Sequence, residues 1–191
     1  MNVLFIQGAG AGAYEEDKKL VNRLERELGS SYEVHYPAMP NEDDAHYDQW
    51  SRQIERDLLK LRGPIALVGH SVGASVLVKY LSEADPRNRV AGIFLMANPF
   101  WGGTGWRYEG WEELALSPQS ALKLSSWAAI FLYHARDDET VPFDHLALYA
   151  KALPHAKVRQ LKTGGHQLND QLSVVAEDIR SLHLPAGRHS G

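Results

Sequence analysis

Ala66-Leu67-Val68-Gly69-His70-Ser71-Val72-Gly73-Ala74-Ser75 decides the fold of this chain. Ile65 to Val68 is an apolar run of the kind that fills a fully buried strand, and a helix of small residues starts near Val72. Between them stands Gly-His-Ser-Val-Gly, a G-x-S-x-G pattern in which a strand turns sharply into a helix and lifts a serine hydroxyl above the sheet. Ser71 at that apex is expected in strained backbone geometry. Side chains at positions 69 and 73 would collide as strand and helix close on each other, so glycine is wanted at both. The helix N-terminus places backbone N–H groups where an oxyanion would form. Five residues alone recur by chance; the strand before and the helix after give the pattern its weight.

Apolar runs alternate with helix-period segments on both sides of this stretch, which predicts an α/β fold with a mainly parallel sheet. Strands are predicted at Val3–Gln7, Tyr32–Tyr36, Val90–Ala97, Ala129–His134 and Ala156–Leu161. Helices are predicted at Tyr14–Leu28, with Leu20, Leu24 and Leu28 four apart and Gly29 beyond, and at Tyr47–Leu61, with Trp50, Ile54, Leu58 and Leu61 on one side. Two more follow, one opened by Val141-Pro142 and running to about Ala152, the other from Leu168 to His183. Asn98 to Ser126 is expected as an irregular insert holding Trp101, Trp106, Tyr108 and Trp111, whose five-residue spacing fits neither helix nor strand. Residues 1–184 are expected to form a single domain and residues 185–191 a flexible tail.

Composition bounds the function. A chain of 191 residues with 44% hydrophobic and 23% charged residues belongs to the globular class. A net charge of −4 gives no general attraction to nucleic acid or to an anionic membrane. No apolar run approaches the length of a membrane span, and the N-terminal run is too short and lacks the basic flank of a signal peptide. Zero cysteines removes a disulfide scaffold, a thiolate metal site and a cysteine nucleophile. A cytoplasmic location is the default expectation.

A serine hydroxyl needs a base to take its proton, and the base needs an orienting acid, in the chain order Ser, Asp, His. His134-Ala135-Arg136-Asp137-Asp138-Glu139-Thr140-Val141-Pro142 supplies the acid after one strand, and Lys162-Thr163-Gly164-Gly165-His166 supplies the base after the last. Two glycines let that loop curl back toward Ser71, so His166 is expected within hydrogen-bond reach of both Ser71 and an aspartate.

On these segments the chain resembles the α/β hydrolases, and within them the small lidless serine hydrolases related to the retinoblastoma-binding serine hydrolase. The resemblance covers nearly the whole chain. It implies a catalytic acid four residues before the proline of Asp-x-x-Val-Pro, hence Asp138 with Asp137 as runner-up. The other place for an acid in that superfamily is held by Asn98, which is no carboxylate. Gln7-Gly8-Ala9-Gly10-Ala11-Gly12 is similar to the family's His-Gly-x-Gly, with Gln7 in place of the histidine. An oxyanion hole is implied from the N–H groups of Val72 and Ala9, with Gly10 possible as donor and as a substrate contact. The chain begins at what resembles the third superfamily strand and has no cap domain. That implies a three-layer sandwich around six strands ordered 2-1-3-4-5-6, with Ser71 following the third.

The implied activity is metal-independent and cofactor-free cleavage of a small ester, thioester or amide through an acyl-enzyme on Ser71. Trp101, Trp106 and Trp111 either roof the pocket for an apolar or aromatic acyl group or simply anchor a long loop. Other assignments carry less. The glycine-rich loop has the wrong spacing for dinucleotide binding, with Ala13 where the last glycine would stand. A metal at His134, Asp137, Asp138 and His166 lacks a close His pair on one helix face. A hydrolase-fold protein acting through a protein partner is the alternative from another class. His70 is expected to point away from the apex and pack structurally; His35, His46, His145 and His155 look incidental.

Overall fold

A computed structural model describes residues 1–84, 86, 89–103, 106, 111–124, 129–169 and 171–182. Tyr108, His183 and the tail at 185–191 lie outside the described residues. Six strands, β1 (Asn2–Ile6), β2 (Glu33–His35), β3 (Ile65–His70), β4 (Val90–Met96), β5 (Ile130–Ala135) and β6 (Lys157–Leu161), form one sheet. Its order is β2-β1-β3-β4-β5-β6 and every neighbouring pair is parallel. The predicted order holds, with Ser71 immediately after β3.

Strand side chains alternate between two cores, as a period of two dictates. Leu4, Ile6, Ile65, Leu67, Ile93, Leu95, Ile130 and Leu132 face one side, where α2 (Tyr47–Lys60), α3 (Val72–Glu83) and α5 (Asp144–Ala152) cover them. Val3, Phe5, Ala66, Val68, Phe94, Met96, Phe131 and Tyr133 face the other, against α1 (Ala13–Leu28) and the helix Leu172–Arg180. Central β3 is buried along its full length, and α3 presents apolar residues on most of its circumference because it lies between sheet and insert.

Three predictions need correction. The insert is not wholly irregular: it contains the 3₁₀ turn Glu112–Leu114 and the helix α4 (Pro118–Leu124), too short and with too few buried residues to print a period. The last helix, α6, starts at Leu172 rather than Leu168. Leu168 has φ of +45° and stays fully buried, so its apolar character reflects the core while its backbone makes a turn. The helix α5 starts at Asp144, leaving Val141-Pro142 in the loop before it. Among the described residues no helix is long and apolar enough to cross a membrane.

Candidate active site

The loops after β1, β3, β5 and β6 meet over the C-terminal ends of the strands, where parallel sheets gather their functional groups. Ser71 occupies the sharpest of these turns, at φ +50° and ψ −126°. That is strained for a residue with a Cβ, and the strain is held by its neighbours. Its N–H donates to the Met96 carbonyl at 2.9 Å. A Cβ on Gly69 would stand 2.7 Å from Ala74 Cα, so strand and helix do close on each other there. At Gly73 the obstacle is different: a Cβ would lie 2.1 Å from the Gln7 carbonyl oxygen, at the end of neighbouring β1. The second glycine therefore admits the glycine-rich loop rather than its own strand.

The two adjacent aspartates divide their work. His166 Nδ1 stands 3.0 and 3.1 Å from the two Asp138 carboxylate oxygens. Asp138 also accepts the N–H groups of Thr140 and Val141, each at 2.8 Å, and lies 3.0 Å from His134 Nε2. Burial alone would raise the Asp138 pKa, but hydrogen bonds from His134, His166 and Val141, with the His166 charge, hold it well below the usual carboxylate range. Asp137 instead accepts the N–H groups of Gly164 and Gly165, at 3.2 and 2.9 Å. It grips the backbone of the loop before His166 while Asp138 takes the ring. The glycines at 164 and 165, both at positive φ, make that curl.

Ser71 and His166 line one cavity of about 430 Å³, together with Gly8, Ala9, Gly10 and Val72. Beyond Asp138, the polar contact of His166 is through its carbonyl, to His70 Nε2 at 2.9 Å. Among the described residues no hydrogen bond joins it to Ser71, so the expected pair is formed on the acid side only. His166 and Ser71 share the walls of that cavity.

The glycine-rich loop comes close to Ser71: a Cβ on Gly8 would be 3.3 Å from Ser71 Cβ. Within it the N–H of Gly8 donates to Asp17 and the N–H of Gly10 to the Glu42 carbonyl at 2.7 Å. Between these two committed groups stands Ala9. Glu42 holds the loop further, accepting Gly12 N–H, Tyr14 N–H and the Gln7 side-chain amide. It thereby caps α1, whose own N-cap, Gly12, has no side chain to offer. Nothing local in the sequence pointed to Glu42, since it acts across 28 to 35 residues.

All three tryptophans line the cavity. Trp101 stacks on Trp111 with centroids 5.6 Å apart and meets Trp106 edge-on at 5.8 Å. His145 is not incidental. It is buried, accepts the Phe100 N–H at 2.8 Å and meets Trp106 edge-on, so it anchors the insert to α5. His70 is likewise more than packing: its Nδ1 lies 2.9 Å from Asp17 Oδ2 in a fully buried pair, and its ring centroid 4.8 Å from that of His166. Asn98 is buried and accepts the Ser75 hydroxyl at 2.6 Å.

A family model described as serine hydrolase matches residues 14–172. Among solved structures the chain is similar to 2-hydroxy-6-oxo-6-phenylhexa-2,4-dienoate hydrolase from Rhodococcus sp. strain RHA1, at 18% identity and TM-score 0.73 over 94% of this chain and 90% of that one. It is similar to the ydeN gene product from B. subtilis, at 18% identity and TM-score 0.65 over 95% of this chain and 97% of that one. A thioesterase domain from the curacin biosynthetic pathway is similar at 15% identity and TM-score 0.62, over 94% of this chain and 91% of that one. At such identities these likenesses show the fold, that of a small α/β hydrolase. No curated protein matches the chain.

Proposed function

This chain belongs to the serine hydrolase family, and we propose that it cleaves small carboxylic esters, thioesters or amides through an acyl-enzyme on Ser71. The observation that carries this reading is the Asp138–His166 hydrogen bond at the wall of the cavity into which Ser71 is turned. Asp138 fixes the imidazole with Nδ1 toward the carboxylate, which leaves Nε2 as the base. As substrate seats, His166 Nε2 takes the Ser71 proton and Oγ attacks the carbonyl carbon. The carbonyl π electrons move to oxygen, where the N–H groups of Val72 and Ala9 receive the negative charge. Collapse breaks the bond to the leaving group, which takes the proton from His166. Water, deprotonated by the same nitrogen, then releases the acid and restores Ser71.

The walls suggest the acyl group. Three tryptophan rings beside the nucleophile favour an apolar or aromatic acyl portion, and about 430 Å³ suits a small molecule rather than a polymer. Gly10 adds a wall without a side chain.

Labelling with a fluorophosphonate probe, read by intact mass, tests the reading. One adduct on the wild-type protein, absent from Ser71→Ala and His166→Ala, is the expected result. No adduct on a folded wild-type protein overturns it and leaves partner binding as the better account.

A further inference from the structure

Asp17 is a buried carboxylate on an otherwise solvated turn of α1, among Glu15, Glu16, Lys18 and Lys19. Its Oδ2 accepts the Gly8 N–H at 2.8 Å and faces His70 Nδ1 at 2.9 Å; its Oδ1 accepts the Gln167 side-chain amide at 3.2 Å. His70 Nε2 then reaches the His166 carbonyl at 2.9 Å. A carbonyl can only accept, so Nε2 carries a hydrogen. Nδ1 faces a carboxylate, so the pair is satisfied as imidazolium and carboxylate with every polar atom engaged. Burial opposes charge on both groups; their mutual attraction outweighs it, lowering the Asp17 pKa and raising that of His70.

We propose that the buried His70–Asp17 pair is a positioning device that holds the glycine-rich loop, the Ser71 turn and the base loop in one fixed relation. The proposal rests on the hydrolase reading for its consequence and on geometry for its existence. Asp17 holds the Gly8 N–H, and the next residue is Ala9, the donor proposed above, which lines the cavity. His70 is the residue before the nucleophile and fixes the carbonyl of the base. Gln167, next after the base, closes the circuit back to Asp17. A relaxed network displaces donor, nucleophile and base relative to one another, and misplacement of about 1 Å is worth about 100-fold in rate.

Asp17→Asn and His70→Asn test this, with Asp178→Asn as control. Asp178 is also a buried carboxylate, bonded to Tyr133 and Arg159, but remote from the cavity. For folded variants, saturation labelling separates the probe's maximal rate from its binding. The maximal rate should fall about 10- to 100-fold in both test variants with the binding constant little changed; the control should lose melting temperature and keep its rate. Equal rates in folded test variants and wild type overturn the proposal. Where Asp17→Asn fails to fold, Gln167→Met removes a single bond of the circuit, and an unchanged maximal rate there is equally fatal.

Amide hydrogen exchange supplies a readout that survives failure of the hydrolase reading. His70→Asn should speed exchange at Gly8, to which His70 is not bonded, as well as in the 164–167 loop. Asp17→Asn, whose direct partners are Gly8, His70 and Gln167, should speed exchange at 164–166 as well. Changes confined to each residue's direct partner overturn the positioning role even if wild-type protein never labels.

Discussion

Asp137 and Asp138 are neighbours in sequence yet hold different parts of one histidine loop: Asp138 bonds the His166 ring and Asp137 bonds the peptide N–H groups of Gly164 and Gly165. Substituting each should therefore fail differently. Asp138→Asn loses the orienting charge, and kcat on an activated ester should fall by about 10³ to 10⁴. Asp137→Asn loosens only an exposed clamp, and a loss of about tenfold or less is expected. Steady-state kinetics of the two variants side by side check the assignment; the opposite ranking would make Asp137 the acid.

Stability should respond to pH on two arms. Asp138 and Asp17 have folded pKa values below the free value of 3.8, so their contribution is full above that value and disappears as pH falls through the depressed range. His70 has a folded pKa above its free value of 6.5, so its contribution is full below 6.5 and is lost as pH rises through the raised value. Melting temperature followed from acid to alkaline pH should form a plateau between the arms. Asp138→Asn should flatten the acid arm, and His70→Asn the alkaline arm.

Gly73→Ala should be far more damaging than its size suggests. The added methyl meets the Gln7 carbonyl, a backbone atom with no freedom to turn away. A loss of about 3 kcal/mol or more is expected in urea unfolding. Gly102→Ala, at positive φ but in open space, should lose about 1 kcal/mol.

Glu42→Gln removes the charge that caps α1 and holds Gly12, Tyr14 and Gln7 together. Urea unfolding should show a loss of about 1 kcal/mol. Because the Gly10 N–H binds the Glu42 carbonyl rather than its carboxylate, part of the loop's grip survives, and kcat should fall less than in Asp138→Asn.

Trp111 is the least buried of the three rings and stacks on Trp101. Trp111→Ala should raise KM for an aromatic acyl ester about tenfold, by loss of ring contact of about 1.4 kcal/mol, and raise KM for an acetyl ester much less. A uniform rise across acyl groups would make the ring a scaffold for the insert.

Sheet order, the Ser71 turn and the meeting of Asp138 with His166 were legible because short-range patterns write them: apolar alternation, paired glycines and loops following strands. The supports of the site were not. Asp17 sits in a charged helical turn where a carboxylate ordinarily meets water, and its partners are 9, 53 and 150 residues away. Glu42 lies in a polar stretch that resembles any connecting loop. Leu168 misled the helix boundary because it falls four residues before Leu172, a helical spacing that a turn reproduced. Local sequence records what a residue is next to in the chain, and these residues act through what the fold brings to them.

The Gln167–Asp17 hydrogen bond joins positions 150 residues apart, and Arg180 donates to the Glu27 carbonyl across 153. The 164–167 loop and α6 therefore share one seam with α1. A growing polypeptide that has made β1, β3 and Ser71 still lacks both His166 and the far side of that seam. On the proposed reading its serine stays chemically silent until the 164–167 loop has closed and the Gln167–Asp17 and Arg180–Glu27 pairings have formed, a slow kind of contact to make. During refolding, probe labelling of Ser71 should accordingly lag the recovery of helical signal, so that reactivity reports the final closure of the chain upon itself.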